Sequence, residues 1–312
     1  MRVLVTGAAG FIGSHLAEAL LADGHDVVGI DAFIPYYGRE LKTRNLQKAM
    51  DHPNFSFHEL DLRTDPLDGA LENVHAIVNE AAMPGLPRSW TDFPAYVSCN
   101  LLALERLLDA AARAGVRRLV HASTSSVYGT DAVGDESMPT QPISPYGITK
   151  LAAEHLVLAN MNRVGLPSVI LRYFSIYGPR QRPDMAYNIF IESIRMGRQI
   201  TVYGDGHQSR SSTYVSDCVA GTIEALERAQ AGEIYNIGGG ETVSLLNALD
   251  IIAQAMGASP QIVHEAPRPG DQRHTAADTR KAKKAFGYEP VVRPAVGLPL
   301  QVAAQLRAAE AG

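Results

Sequence analysis

The chain has 312 residues, 46% of them hydrophobic and 20% charged, and 28 Lys plus Arg against 33 Asp plus Glu give a formal charge of −5. That is a globular composition, which excludes a disordered or fibrous chain, and it lacks the basic excess of a nucleic-acid binder. Two cysteines, Cys99 and Cys218, are too few for a disulfide framework, no Cys/His spacing suits a metal, and no apolar run reaches the ~18 residues of a membrane span. With a first strand expected from residue 2 and therefore no signal peptide, the expectation is a cytoplasmic protein with no membrane or nucleic-acid partner.

In chain order, Arg2-Val-Leu-Val-Thr6 reads as a buried strand, and Phe11 to Ala22 as a helix with Ile12, Leu16, Ala19 and Leu20 on one face. Asp26-Val-Val-Gly-Ile30 is the next strand. Further strands are expected at 55–60, 74–79, 117–122 and 168–173, with helices at 95–114 and 146–163. Strands alternating with helices predict parallel pairing, hence an α/β fold with a doubly wound sheet. After residue 174 Gly and Pro punctuate the chain, as in Tyr177-Gly-Pro-Arg-Gln-Arg-Pro-Asp184 and Pro267-Arg-Pro-Gly270. Strands are expected there at 199–203 and 233–238, and helices at 185–196, 216–229, 244–256 and 278–286. The expected organisation is a nucleotide-binding domain over 1–174, to which segments near 213–239 return, and a smaller α/β substrate lobe over 175–312. The loops at 32–45 and 130–142 are candidates for movement on binding.

Gly7-Ala-Ala-Gly10-Phe-Ile-Gly13 falls between the first strand and the first helix. The spacing G-x-x-G-x-x-G is a variant of the dinucleotide fingerprint. Glycine removes the Cβ that would block a tight turn, and the free N–H groups of the helix start then face a pyrophosphate. Phe11 and Ile12 belong to the same turn. Asp31 ends the second strand ~20 residues downstream, where a carboxylate accepts from the ribose hydroxyls and repels a 2′-phosphate. Ala32 and Phe33 follow with no Arg, so the sheet is Rossmann-type and the expected cofactor is NAD. Asp61-Leu62 and Ala81-Ala82 follow later strands, at the ends where ligands bind in open α/β sheets.

Tyr146-Gly-Ile-Thr-Lys150 opens a helix, and residues i and i+4 share a face. A tyrosine with a free pKa of ~10 is a poor base at neutral pH; a nearby ammonium or a cationic nicotinamide favours its phenolate. Upstream, His121-Ala-Ser-Thr-Ser-Ser-Val-Tyr-Gly129 places four consecutive hydroxyls after a strand. A hydroxyl there can bond the same substrate oxygen as the tyrosine.

With glycine loop, Asp31, hydroxyl cluster and Tyr/Lys pair together, the chain resembles an extended short-chain dehydrogenase/reductase of the nucleotide-sugar epimerase and dehydratase group, over nearly its whole length. The resemblance implies Tyr146 as catalytic base, Lys150 as the residue that orients the cofactor ribose and assists Tyr146, and Thr124 as the hydroxyl partner where many relatives have Ser. It adds Asn100 and Tyr173 to the cofactor set, and it implies a homodimer through helices 95–114 and 146–163.

Ser125 and Ser126 bear on the reaction type. Dehydratases of the group typically carry an Asp-Glu pair there, and decarboxylases a Glu at the second position; without ionisable groups dehydration lacks its proton carriers. Leu171-Arg-Tyr-Phe-Ser-Ile-Tyr-Gly-Pro-Arg-Gln-Arg-Pro-Asp-Met-Ala186 resembles the corresponding segment of UDP-glucuronic acid 4-epimerases, as do Tyr36–Leu46 and Met83–Trp90. Arg182 suits a uronate carboxylate as a charge-assisted donor, with Ser175, Ser125 and Ser126 as neutral donors. By the same likeness Pro84 and Arg88 join the substrate set. Ala186 and Tyr187 begin a helix facing the diphosphate, Thr201 and Tyr203 border the uracil, Arg210 and Arg268 neutralise the diphosphate, and Asp271 bonds the uridine ribose. Relatives often read R-D-F-T-Y-V where this chain has Arg210-Ser-Ser-Thr-Tyr-Val215, so Arg210 lacks its usual neighbours. The implied reaction is C4 epimerisation of a UDP-sugar through a transient 4-ketone, with UDP-glucuronic acid as the expected substrate. The alternatives are a UDP-glucuronic acid decarboxylase, a UDP-hexose 4-epimerase, and a non-catalytic NAD-sensing regulator, which commonly lacks the Tyr/Lys pair. His121, His207 and His264 show no catalytic role.

Overall fold

A computed structural model describes residues 1–268 and 270–310; Pro269 of the expected Pro267–Gly270 punctuation and the last two residues of the expected lobe lie outside them. Seven strands form the central sheet: β1 (Arg2–Thr6), β2 (Asp26–Asp31), β3 (Phe55–Glu59), β4 (Ala76–Asn79), β5 (Arg118–Thr124), β6 (Ser168–Tyr173) and β7 (Ile234–Ile237). Their order is β7-β6-β5-β4-β1-β2-β3, every pair parallel. Successive side chains on a strand point to opposite faces. Val3, Val5, Val120 and Leu171 therefore enter one apolar cluster, and Leu4, Ile77, Leu119 and Ile170 the other. Both faces are covered, which is why these strands read as nearly unbroken apolar runs.

The covering helices are α1 (Phe11–Ala22), α2 (Arg39–Met50), α3 (Ala103–Arg113) and α4 (Pro145–Val164); α5 (Ala186–Arg195) belongs to the second lobe, and α6 (Val215–Arg228) returns to the sheet. Ser144 caps α4 by accepting from Gly147 N at 3.1 Å, Pro145 occupies its first turn, and Gly165 ends it in the left-handed conformation. The expected loop at 32–45 is in good part α2. That helix buries only Lys42, Asn45, Leu46 and Ala49, so its apolar signal is faint. The other expected loop, 130–142, contains the strand Asp131–Gly134.

The second lobe has its own core, in which Tyr177, Phe190, Ile191, Leu249 and Leu298 meet. The chain passes between the lobes in both directions. β7 pairs with β6 on the central sheet, while Asp131–Gly134 pairs with His274–Ala277 in a small four-stranded sheet. That sheet's strands are three or four residues long, too short for a periodic signal. The helix Pro294–Glu310 was not expected either, because Pro299 inside it reads as a breaker. No helix among the described residues is long and apolar enough to cross a membrane.

Candidate active site

The C-terminal strand ends border a cleft of about 1200 Å³ of empty space, part of it open to solvent. Gly7, Gly10, Phe11, Ile12 and Gly13 form one wall. Gly7 has φ +68°, and a Cβ on Gly13 would lie 2.2 Å from the Gly7 carbonyl oxygen. Gly10, the residue before α1, provides no side-chain cap, so the first N–H groups of α1 are free for an anion. These are the features a pyrophosphate needs.

Asp31 lines the same cleft. Its carboxylate accepts from Ala9 N at 3.2 Å, Phe33 N at 2.8 Å and Lys42 Nζ at 3.3 Å. A carboxylate offers about four lone-pair sites, so one is left for a ribose hydroxyl. Lys42 is a cleft residue that sequence reasoning missed; it sits on α2, itself unforeseen. Asp61 and Leu62 also line the cleft, together with the unforeseen Arg63. Arg63 grips Asp61 through Nη2 at 2.7 Å and holds its carboxyl below the usual range.

Ala81, Ala82 and Pro84 continue the wall towards the chemical end. Asn100 stands behind them rather than in the wall. It accepts from Met83 N at 2.7 Å and donates to Met83 O and Thr149 Oγ1, which fixes the 81–84 loop. The structure thus gives Asn100 a supporting role for that loop.

Tyr146 and Lys150, one turn apart on α4, both face the cleft. Lys150 donates to the Ala122 carbonyl at 2.5 Å, near the end of β5. Burial lowers Lys150 to about 8, while Glu80 and Glu154 act in the opposite sense. Burial raises Tyr146, opposed by hydrogen bonding with Thr124 and by the charge of Arg182. A phenolate here depends on those cations and on the cofactor's own positive ring. Thr124 Oγ1 accepts from Ser126 N and donates to Ser126 Oγ, each at 3.2 Å. Ser125 does not point its proton at a ligand: it donates to Gln272 Oε1 at 3.0 Å, and Gln272 returns a bond to Ser125 O.

Tyr173 and Arg182 complete the cleft. Arg182 Nε and Nη2 hold the two oxygens of Asp184 at 3.0 Å each, and the guanidinium lies 5.8 Å from the Tyr36 ring centroid. Arg88 is outside the cleft wall, paired with Asp92 at 3.0 Å and lying 5.3 Å from the same ring centroid. Ser175 has φ +44°, and its carbonyl accepts from Thr213 N.

The remaining expected residues gather in the second lobe. Ala186 opens α5; Met185 before it gives no side-chain cap, and Gln181 Oε1 accepts from Asn188 N at 3.1 Å. Tyr187 Oη pairs with Ser212 Oγ at 2.8 Å. Thr201 and Tyr203 lie on the strand Ile200–Tyr203, and Arg268 stacks 3.5 Å from the Tyr203 ring centroid. Arg210 and Arg268 both act on Asp271, whose carboxyl burial pushes up. Arg210, without its usual neighbours, donates to the carbonyls of Ser209, Arg273 and Gln272 instead.

A glycine cradle and acidic strand end at one side of the cleft, and a tyrosine with its lysine at the other, define a nicotinamide-dependent site of the short-chain dehydrogenase/reductase type. The chain belongs to the NAD dependent epimerase/dehydratase family, which it matches over residues 3–238, and its cofactor is NAD. It is 42% identical over 307 residues to the uncharacterized UDP-glucose epimerase YtcB of Bacillus subtilis, covering 97% of each chain. It is 37% identical over 306 residues to the UDP-glucose 4-epimerase of Mycolicibacterium smegmatis, covering 96% of each. The solved UDP-glucuronic acid 4-epimerase of Bacillus cereus, in complex with UDP-glucuronic acid and NAD, superposes with a TM-score of 0.96 at 40% identity, covering 99% of this chain and 100% of that one.

Proposed function

We propose that this NAD-dependent nucleotide-sugar 4-epimerase acts on UDP-glucuronic acid and inverts C4 to give UDP-galacturonic acid. The observation that carries the substrate choice is Arg182, a guanidinium in the cleft wall whose charge acts on Tyr146. A C5 carboxylate would make a charge-assisted bond with that guanidinium, which the neutral C5 substituent of a hexose cannot. Asp184 fixes the guanidinium fork through two donors, and the rest remain for a ligand oxygen. The Bacillus cereus relative, which binds UDP-glucuronic acid, supports the same reading.

Bound NAD supplies reversible two-electron oxidation at the sugar's C4. Tyr146, as phenolate, would take the proton of the 4-hydroxyl and give it back to O4 after the keto sugar has turned over, the inversion lying in the opposite face on which C4 regains its hydride. Lys150 supports the phenolate by its charge, and Thr124 orients the oxygen by its hydroxyl. A 4-ketone beside the C5 carboxylate is a β-keto acid, which loses CO₂ when the carboxylate aligns with the carbonyl π-system. Arg182 and Ser126 hold the carboxylate out of that alignment. Tyr187, Arg210, Arg268, Tyr203 and Asp271 grip the nucleotide. The enzyme works in the cytoplasm as a homodimer packed through the outer faces of α4 and of α3 with the turn before it, where Ile148 is 51% exposed and Leu102, just ahead of α3, 58%.

The test is incubation of the purified protein, with no NAD added, with UDP-glucuronic acid or UDP-glucose, the sugar followed by NMR. A galacto-configured uronate with little turnover of UDP-glucose is the expected result. Preferential turnover of UDP-glucose overturns the substrate choice, and a UDP-pentose with CO₂ makes the protein a decarboxylase.

A further inference from the structure

Arg182 does not meet the cleft as a free cation. Asp184, two residues on, takes its Nε and Nη2, one carboxylate oxygen to each nitrogen, at 3.0 Å. Arg182 stands in the cleft wall and Asp184 does not. A guanidinium has five N–H donors along two usable edges. The carboxylate occupies the Nε–Nη2 edge, and no other group among the described residues bonds the Nη1 side.

Asp184 is itself held from the first lobe. Tyr36 Oη donates to its Oδ2 at 3.2 Å. The same hydroxyl presses on Gly85, where a Cβ would stand 2.0 Å from it. The loops carrying Tyr36 and Gly85 thus help to fix the carboxylate on the guanidinium. Arg88, which approaches the same tyrosine ring, has its own partner in Asp92.

Specificity is a difference of affinities. An unpaired guanidinium in the wall is costly to cover with an uncharged sugar, and it rewards a sugar that brings a carboxylate. With Asp184 in place both effects shrink. The pair as a whole is neutral, so a neutral C5 substituent is tolerated. A C5 carboxylate still finds the open edge, but it then shares the cation with a second anion, and like charges repel. We propose that Asp184 is a specificity-determining residue that acts through Arg182: by cancelling part of the guanidinium charge, it limits the preference of the site for a uronic acid over a neutral hexose. Water reaches the pair, the Arg182 side chain being 20% exposed and that of Asp184 35%, so the repulsion is screened well below its dry-interior value.

This rests on Arg182 meeting the C5 substituent, as in the function proposed above. The test titrates UDP-glucuronic acid and UDP-glucose by calorimetry into the NAD-bound protein in a Y146F background, so that binding is read without turnover. The readout is the ratio of the two Kd values. D184N and D184A remove the charge, D184E keeps it, and R182L removes the guanidinium. Both neutral variants are expected to raise the preference for UDP-glucuronic acid about 10-fold, while D184E stays within about twofold of the parent. If Asp184 merely props the guanidinium, the neutral variants lower the preference or leave it unchanged, and the inference fails. A rise in D184E equal to that in D184N assigns the effect to shape instead of charge and overturns it as well. If R182L lowers the preference and the neutral variants leave it unaltered, only the role of Asp184 falls. If R182L leaves the preference unchanged, the substrate contact of Arg182 falls, and the role of Asp184 with it.

Discussion

In the proposed mechanism two side chains, Lys150 and Arg182, act through their charge. Lys150 is buried in the cleft wall, and that burial lowers it to about 8. As pH rises through that value Lys150 loses its proton and with it the charge that the proposed mechanism assigns to supporting the Tyr146 phenolate, so kcat/KM is expected to fall. A pH–rate profile measured with saturating NAD checks this; a flat profile up to about 10 would mean that Lys150 keeps its charge. Arg182 is the second case. Replacing it by His removes a charge-assisted donor worth about 1.5–3 kcal/mol, so KM for UDP-glucuronic acid rises about 10- to 100-fold. The freed carboxylate also samples the alignment that expels CO₂, so the share of UDP-pentose in the products increases. An unchanged CO₂ yield in R182H removes Arg182 from that role.

Elements bring these residues together. The turn between β1 and α1 works because Gly13 packs on the Gly7 carbonyl, 2.2 Å from where a Cβ would stand. Gly13→Ala forces this turn open and misplaces the N–H groups that meet the pyrophosphate. NAD affinity, measured by calorimetry on cofactor-stripped protein, is expected to drop about 10-fold or more. The catalytic helix α4 is tied to the sheet by a buried ion pair: Arg172 of β6 meets Glu154 at 2.9 and 2.7 Å, with both side chains nearly inaccessible. Ser123 Oγ also bonds Glu154, and Arg172 Nη1 bonds Tyr128. Glu154→Gln leaves the Arg172 charge uncompensated inside the protein. Urea unfolding is expected to show a loss of about 3–5 kcal/mol. A loss below about 1 kcal/mol would mean that water or a shifted neighbour satisfies Arg172.

At the scale of the whole molecule, one face remains to be accounted for. Leu102, Ile148, Phe93 and Trp90 lie exposed on or beside the segments around α3 and α4. Singly, exposed apolar side chains are ordinary; grouped on neighbouring elements they suit a partner surface. In the proposed homodimer, Leu102→Arg buries an unpaired charge at the contact. Sedimentation is expected to show a dimer for the parent and a monomer for the variant. A parent that sediments as a monomer ends the proposal, and an unaltered dimer in L102R moves the contact elsewhere.

Much of this molecule was legible in the chain alone. β1, β2, β4, β5 and β6 announced themselves because a parallel strand covered on both faces must be apolar at nearly every position. Gly7, Gly13, Asp31, Tyr146 and Lys150 were legible because a pyrophosphate, a ribose and a buried phenolate each demand particular residue types at short, fixed spacings. Lys42, Arg63 and Glu80 were not. Each is an ordinary charged residue in its own segment and gains meaning only where separate strand ends converge on one cleft. Glu80 had one visible clue, an acid placed directly after a strand where ligands bind. Ser125 shows the converse: its place in the hydroxyl cluster suggested a substrate contact, and Gln272, far along the chain, takes its proton instead. Local pattern determined the sheet, the cofactor turn and the Tyr/Lys pair, since these depend on spacing along one segment. Only the tertiary structure decided which charges face one another, because Coulomb and hydrogen-bond energies depend on distance through space, and the fold alone sets that distance.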